Sequence, residues 1–198
     1  GGHLEAVVTL TADLAEASGG GLFVLFTSHR DVRSAAAALR ARGVDERGPL
    51  LVHGEDSRDT LLNRFRESNC ALLVGTASFW EGVDVPGDAL RGLVIAKLPF
   101  RVPPERVTAA HCEAIAEQGG DPFTDYMLPH AALRLKQGFG RLIRTGTDRG
   151  VVLITDPRVV TKGYGAELLK GLPPARRLFG RRSELVEQIQ GFYEQQFG

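Results

Sequence analysis

The chain has 198 residues, enough for one α/β core. Its 43% hydrophobic and 24% charged residues are ordinary for a globular protein, and no apolar run reaches the ~18–20 residues that would span a bilayer. The formal net charge is zero, which excludes a uniformly basic or acidic protein, but residues 131–182 carry +9 against −6 in residues 1–130 and −3 in the last sixteen.

In chain order, Leu4–Ala17 reads as an amphipathic helix. Gly19-Gly20-Gly21 then opens Leu22–Thr27, a short apolar run expected as a buried strand. A helix over Asp31–Arg42 stops at Gly43. Leu50–His53 is a second strand, Ser57–Glu67 a helix, Ala71–Gly75 a third strand and Leu93–Lys97 a fourth. After Pro99, Pro103 and Pro104 the chain reads mainly helical from Glu105 to Arg144, broken at Gly119-Gly120-Asp121-Pro122. Val151–Thr155 is a fifth strand, and Ser183–Gln196 a last helix that buries Leu185, Ile189, Phe192 and Tyr193. Strands separated by helices predict a mostly parallel central sheet covered on both faces, an α/β domain in three layers. One domain over 1–198 is expected, with a helical insertion at about 104–136. Ligands of such folds bind beyond the carboxyl ends of the strands, which places Thr27-Ser28, Gly75-Thr76 and Asp156 near one edge.

No signal peptide is visible, and Cys70 and Cys112 lack a C-x-x-C partner. Buried thiols, no metal site, a monomer and a cytoplasmic setting are the expectations. The only methionine is Met127, so the chain reads as a piece of a longer protein. His53, His111 and His130 have no metal-ligand spacing and are expected to be structural or on the surface. The +9 block suits the phosphates of a nucleotide or a nucleic acid, with a solvated surface as the plain alternative. Arginine outnumbers lysine 20 to 4, and guanidinium suits bidentate phosphate contacts.

Within that block stands Gln137-Gly138-Phe139-Gly140-Arg141-Leu142-Ile143-Arg144. On a helix at ~100° per residue, Gln137, Gly140, Arg141 and Arg144 share one face, and Phe139, Leu142 and Ile143 the other. The apolar face would anchor the helix, and the polar face would offer two guanidinium groups beside a glycine that allows close approach. That pattern suits the charge that builds on a γ-phosphate during phosphoryl transfer. A surface helix with two arginines in salt bridges is the alternative.

These eight residues resemble motif VI of superfamily-two helicases, in the form used by the DinG and XPD branch. Leu73–Gly87 resembles that branch's motif V, and Phe23–Ser28 its motif IV. Leu62–Glu67, Lys97–Phe100, Asp121–Gln137 and Asp156–Tyr164 also fit DinG, so the resemblance runs in order from about residue 20 to 175. It implies a RecA-like second motor domain of an ATP-dependent DNA helicase moving 5′ to 3′, with single-stranded DNA and an N-terminal motor domain as partners. Arg141 and Arg144 would reach the nucleotide phosphates, with Arg144 favoured as the arginine finger. Gln137 and Gly140 would line the same nucleotide site. Asp84, then Glu81, with Gly82 between them, would approach the ribose or link to motif VI.

Thr27, Ser28 and Arg30 would approach DNA through motif IV, and Thr76, Ser78 and Trp80 through motif V. Simpler readings exist for several of these. Ser28 with Asp31 resembles a capping box, and Trp80 could be core. The chain has no G-x-x-x-x-G-K-[ST] and no D-E-x-H. ATP and Mg2+ would therefore be held mainly by the first motor domain, and the isolated chain is expected to be inactive. Neither cysteine matches an iron–sulfur ligand set. A non-motor nucleic-acid-binding module on the same fold is the rival reading. A small-molecule enzyme is disfavoured, because neither a dinucleotide fingerprint nor a nucleophile elbow occurs.

Overall fold

Five apolar runs form one sheet in a computed structural model that describes residues 1–81, 88–100 and 106–198, with Trp80 described in its backbone only. The strands are β1 (Leu22–Phe26), β2 (Leu50–Val52), β3 (Leu72–Thr76), β4 (Gly92–Ile95) and β5 (Val151–Ile154). All four pairings are parallel, in the order β2-β3-β1-β4-β5. β1 lies at the centre, and all five of its residues are buried, as its unbroken apolar sequence requires.

The helices are α1 (Gly2–Ser18), α2 (His29–Ala41), α3 (Arg58–Ser68), α4 (Arg106–Glu117), α5 (Leu128–Leu142), α6 (Arg158–Thr161), α7 (Gly163–Lys170) and α8 (Arg182–Phe197). Because side chains alternate along a strand, the sheet feeds two cores. Leu22, Val24 and Phe26 join Val74 and Val94 beneath α1, α2 and α8. Phe23 and Leu25 join Leu73, Leu93 and Ile95 beneath α3, α5 and α7. The result is the three-layer arrangement expected of a RecA-like domain.

Local chemistry sets the joints. Ser28 Oγ accepts from Asp31 N at 3.1 Å and starts α2, as the capping pattern predicts. Gly20 has a φ of +97°, and a Cβ there would lie 2.1 Å from Cys70 O, so only glycine lets α1 turn tightly into β1. Cys70 and Cys112 are free and half-buried rather than fully buried. The sequence reading passed over α6 and α7, which follow β5 directly.

Of the long helical stretch, α5 covers the sheet, burying Leu128, Ala131, Leu135, Phe139 and Leu142. α4 lies outside it, packed on a π-helical turn at Phe123–Met127. Among the described residues no helix is long and apolar enough to cross a membrane.

Candidate functional site

Because every strand runs the same way, their carboxyl ends share one edge, where Thr27, Ser28, Thr76 and Asp156 meet as expected. His53, just past β2, anchors this edge. Its Nδ1 lies 3.4 Å from Thr76 N and 3.3 Å from Thr76 Oγ1. The Thr76 hydroxyl also contacts Ser78 Oγ at 2.7 Å. His53 packs against His29 at 4.7 Å and edge-on to Phe79 at 4.8 Å. Burial pushes the His53 pKa down, and the neighbouring His29 and Arg58 charges push it further the same way. A neutral imidazole with Nδ1 as acceptor fits the Thr76 N–H. The expectation of a structural histidine thus holds for packing, but its nitrogen also contacts the Thr76 hydroxyl, which in turn contacts Ser78.

Arg58 ties the following turn in place. Its Nη2 donates to Phe79 O at 2.6 Å and also to Glu81 O, while its guanidinium lies 5.4 Å from the centre of the Phe79 ring. Thr76 is buried, Thr27 and Ser28 are half-buried, and Ser78 and Arg30 are exposed. Lys97, at the end of β4, pairs with Asp31 at 3.2 Å. Gly82 and Asp84 lie outside the described residues, as does the side chain of Trp80.

Asp156 is only 3% exposed and holds the β4–β5 end of this edge. Its Oδ2 accepts from Leu98 N at 2.8 Å, and Arg158 grips both carboxylate oxygens at 2.6–3.1 Å. Burial pushes this carboxyl up. The hydrogen bonds from Arg158 and from the Leu98 and Arg158 amides outweigh it and hold the pKa below the usual range. Arg158 also stacks on Phe100 at 5.2 Å.

The second group of candidates follows α5. This helix begins near the carboxyl edge and ends at the opposite one, where Leu142 packs beside Gly150 and Arg91, next to the starts of β4 and β5. At its middle, Arg134 pairs with Glu81 at 3.1 Å. Gln137 and Arg141 follow three and seven residues later on the same face, so Arg134 and Arg141 stand about 10 Å apart along the axis. Gln137 and Gly140 are exposed, and Arg141 is half-buried. A Cβ at Gly140 would meet nothing within 4 Å, so packing within the described chain does not require glycine there.

One expectation needs correction. α5 stops at Leu142, and Ile143 is extended (φ −112°, ψ 93°), so Arg144 is not on the helix and does not share its face by helical phase. The exposed Arg144 is placed by a turn instead. Its backbone N–H and that of Thr145 both donate to Asp148 Oδ2 at 2.8 Å. Those two amides hold the Asp148 carboxyl below its usual pKa.

Arg134 was not singled out in the sequence, although its heptad spacing from Arg141 marks it as a member of the same face. Among the described residues, no group of three His, Cys, Asp or Glu side chains is placed to hold a metal ion.

The chain matches the helicase C-terminal domain family over residues 11–175. It is 45% identical over 176 residues to the ATP-dependent DNA helicase YoaA of Escherichia coli, covering 89% of this chain and 27% of that protein. It is 42% identical over 167 residues to the ATP-dependent helicase DinG of Mycobacterium tuberculosis, covering 84% and 25%. It is also 40% identical over 172 residues to a protein of Bacillus subtilis named 3′-5′ exonuclease DinG, covering 86% and 18%. The chain thus spans about a quarter of the length of the first of these relatives. With five parallel strands, α5 across the sheet and a match over most of its length, the chain belongs to the helicase C-terminal domain family.

Proposed function

We propose that this chain is the second motor domain of an ATP-dependent DNA helicase. It completes a nucleotide site held mainly by a first motor domain and forms part of the track for single-stranded DNA. One observation carries this reading. α5 is a single rod whose middle is tied to Glu81 through Arg134 and whose C-terminal half presents Gln137, Gly140 and Arg141. The pair thus lets a shift at Glu81 bear on the arginine-bearing half of the helix. The open space around Gly140 supports close approach by a group from outside the chain.

Arg141 and Arg144 act as cations directed at the phosphates of ATP, with Arg144 as the finger that stabilises charge on the transferred group. Gln137 orders the nucleotide beside them, and Asp84, then Glu81, with Gly82 between them in sequence, would approach the ribose or link to motif VI. Thr27, Ser28, Arg30, Thr76, Ser78 and Trp80 form the DNA side. Hydroxyls and amides hold phosphates there, and the indole stacks on a base. Hydrolysis by the chain alone is negligible, because it contains no Walker A lysine. The DinG resemblance implies the 5′-to-3′ direction, and a monomer acting in DNA repair completes this reading.

Arg144→Ala in the full-length protein tests this. The backbone N–H groups of residues 144 and 145 both donate to the Asp148 carboxylate, and both remain in the alanine variant. DNA-stimulated ATP turnover is expected to fall by about 10³-fold or more. Unchanged turnover would sink the finger assignment. DNA binding without any DNA-stimulated turnover in the unmodified protein would favour a non-motor binding module.

A further inference from the structure

Between α7 and α8 the chain runs without regular structure through Pro173-Pro174-Ala175-Arg176-Arg177-Leu178-Phe179-Gly180-Arg181. From Pro174 to Glu184 every residue is exposed. Phe179 is 66% exposed and the adjacent Leu178 is 45% exposed. The segment is nevertheless fastened at both ends. Arg177 Nη2 donates to Leu169 O at 2.6 Å, at the end of α7, and Arg182 forks onto Asp13 of α1 at 2.7 and 3.0 Å. It therefore forms a held strap that displays an aromatic ring.

The charges on the strap are of one sign. Arg176 reaches Gln188 Oε1 at 3.4 Å, so both it and Arg177 engage neutral acceptors. Among the described residues, no carboxylate forms an ion pair with Arg176, Arg177 or Arg181. The nearby Glu184 accepts from the Arg181 backbone N–H at 3.0 Å and starts α8. Only Arg182 is neutralised by a carboxylate. Guanidinium groups flanking an exposed ring match a flexible polyanion whose bases have free π faces. A lipid surface fits less well. Two apolar side chains on a non-helical segment offer little area to bury, and each cation adds only about 1 kcal/mol at a membrane.

We propose that the Arg176–Arg181 strap is an auxiliary contact for single-stranded DNA, with Phe179 stacking on a base and Arg176 and Arg181 on phosphates. The strap begins where the family match ends, at residue 175, and is separate from the Thr27–Ser78 edge. This proposal rests on the reading of the chain as part of a DNA-acting protein.

The test is equilibrium binding of a fluorescent oligothymidylate by the full-length protein without nucleotide, over a range of salt. Phe179→Ala is expected to weaken binding about tenfold with an unchanged salt slope, and Phe179→Tyr to restore it. Arg176→Ala with Arg181→Ala is expected to reduce the slope of log affinity against log salt by about 1.4, for two single-strand phosphates. Thermal melting of each variant separates a fastening role. For the double arginine variant, a lowered melting temperature with an unchanged salt slope overturns the proposal. Retained DNA binding in all variants, with loss only on vesicles of phosphatidylserine and phosphatidylcholine, assigns the strap to membranes and also overturns it. Failure of the unmodified protein to bind the oligonucleotide overturns both readings. Normal binding that is insensitive to these substitutions overturns the strap alone.

Discussion

Asp156 shows how one buried charge can organise a strand edge. Its carboxylate joins the end of β5 to Leu98, 58 residues earlier, and fixes Arg158 over Phe100. Asp156→Asn removes the charge while keeping an acceptor for the Leu98 amide. It is expected to cost about 2 kcal/mol in urea unfolding. The pH dependence has a definite sign. Because the folded carboxyl titrates below its unfolded value of about 3.9, its contribution is complete above that value. It is lost as pH falls through the depressed folded value. The asparagine variant should lack this acid-side loss, and equal acid sensitivity in both proteins would refute the assignment. Sequence order placed Asp156 at the edge correctly, because it follows a strand. The Leu98 bond was illegible, since nothing local pairs residues so far apart. Arg144 failed in the opposite way: extending a helical phase over Gln137–Arg144 ignored the Thr-Gly-Thr-Asp turn that ends α5 early.

At the scale of elements, α5 connects to the motif V segment through Glu81, at Arg134 rather than at the motif VI residues themselves. The Glu81–Arg134 pair is half-exposed on its acidic side and mostly buried on its basic side. Its direct contribution to stability is expected to be about 0.5 kcal/mol, as coupling in a double-mutant cycle of Glu81→Ala and Arg134→Ala. Its larger effect belongs to transmission. In the full-length protein each single variant should lower DNA-stimulated ATP turnover, and the double variant should be no worse than either single one. Additive losses would show that the two side chains act independently. The main elements were legible because apolar runs and helical periodicity are strong local signals. The helices α6 and α7 were not. Arg158–Thr161 is one turn containing two valines and a threonine, and Gly163–Lys170 has two glycines in its first three positions, all weak helix formers.

For the whole molecule, alternation of strands and helices was enough to predict a parallel three-layer domain, but not the order of its strands. That order has a consequence for synthesis. The central strand pairs with no immediate neighbour in sequence: Leu22 lies opposite Leu72 and Gly92, 50 and 70 residues downstream. An emerging chain must therefore hold the Leu-Phe-Val-Leu-Phe segment without partners until most of residues 22–95 have been made. Long-range parallel pairing folds slowly and leaves apolar segments open to aggregation. Chains ending at residue 81 are expected to remain protease-sensitive and to aggregate, whereas the 198-residue chain resists digestion. A protease-resistant core in the shorter chain would show that the left half of the sheet folds without β4. If none forms, the central strand is the last part of this half to become safe, and folding in the cell depends on shielding the five apolar residues of β1 until their partners are made.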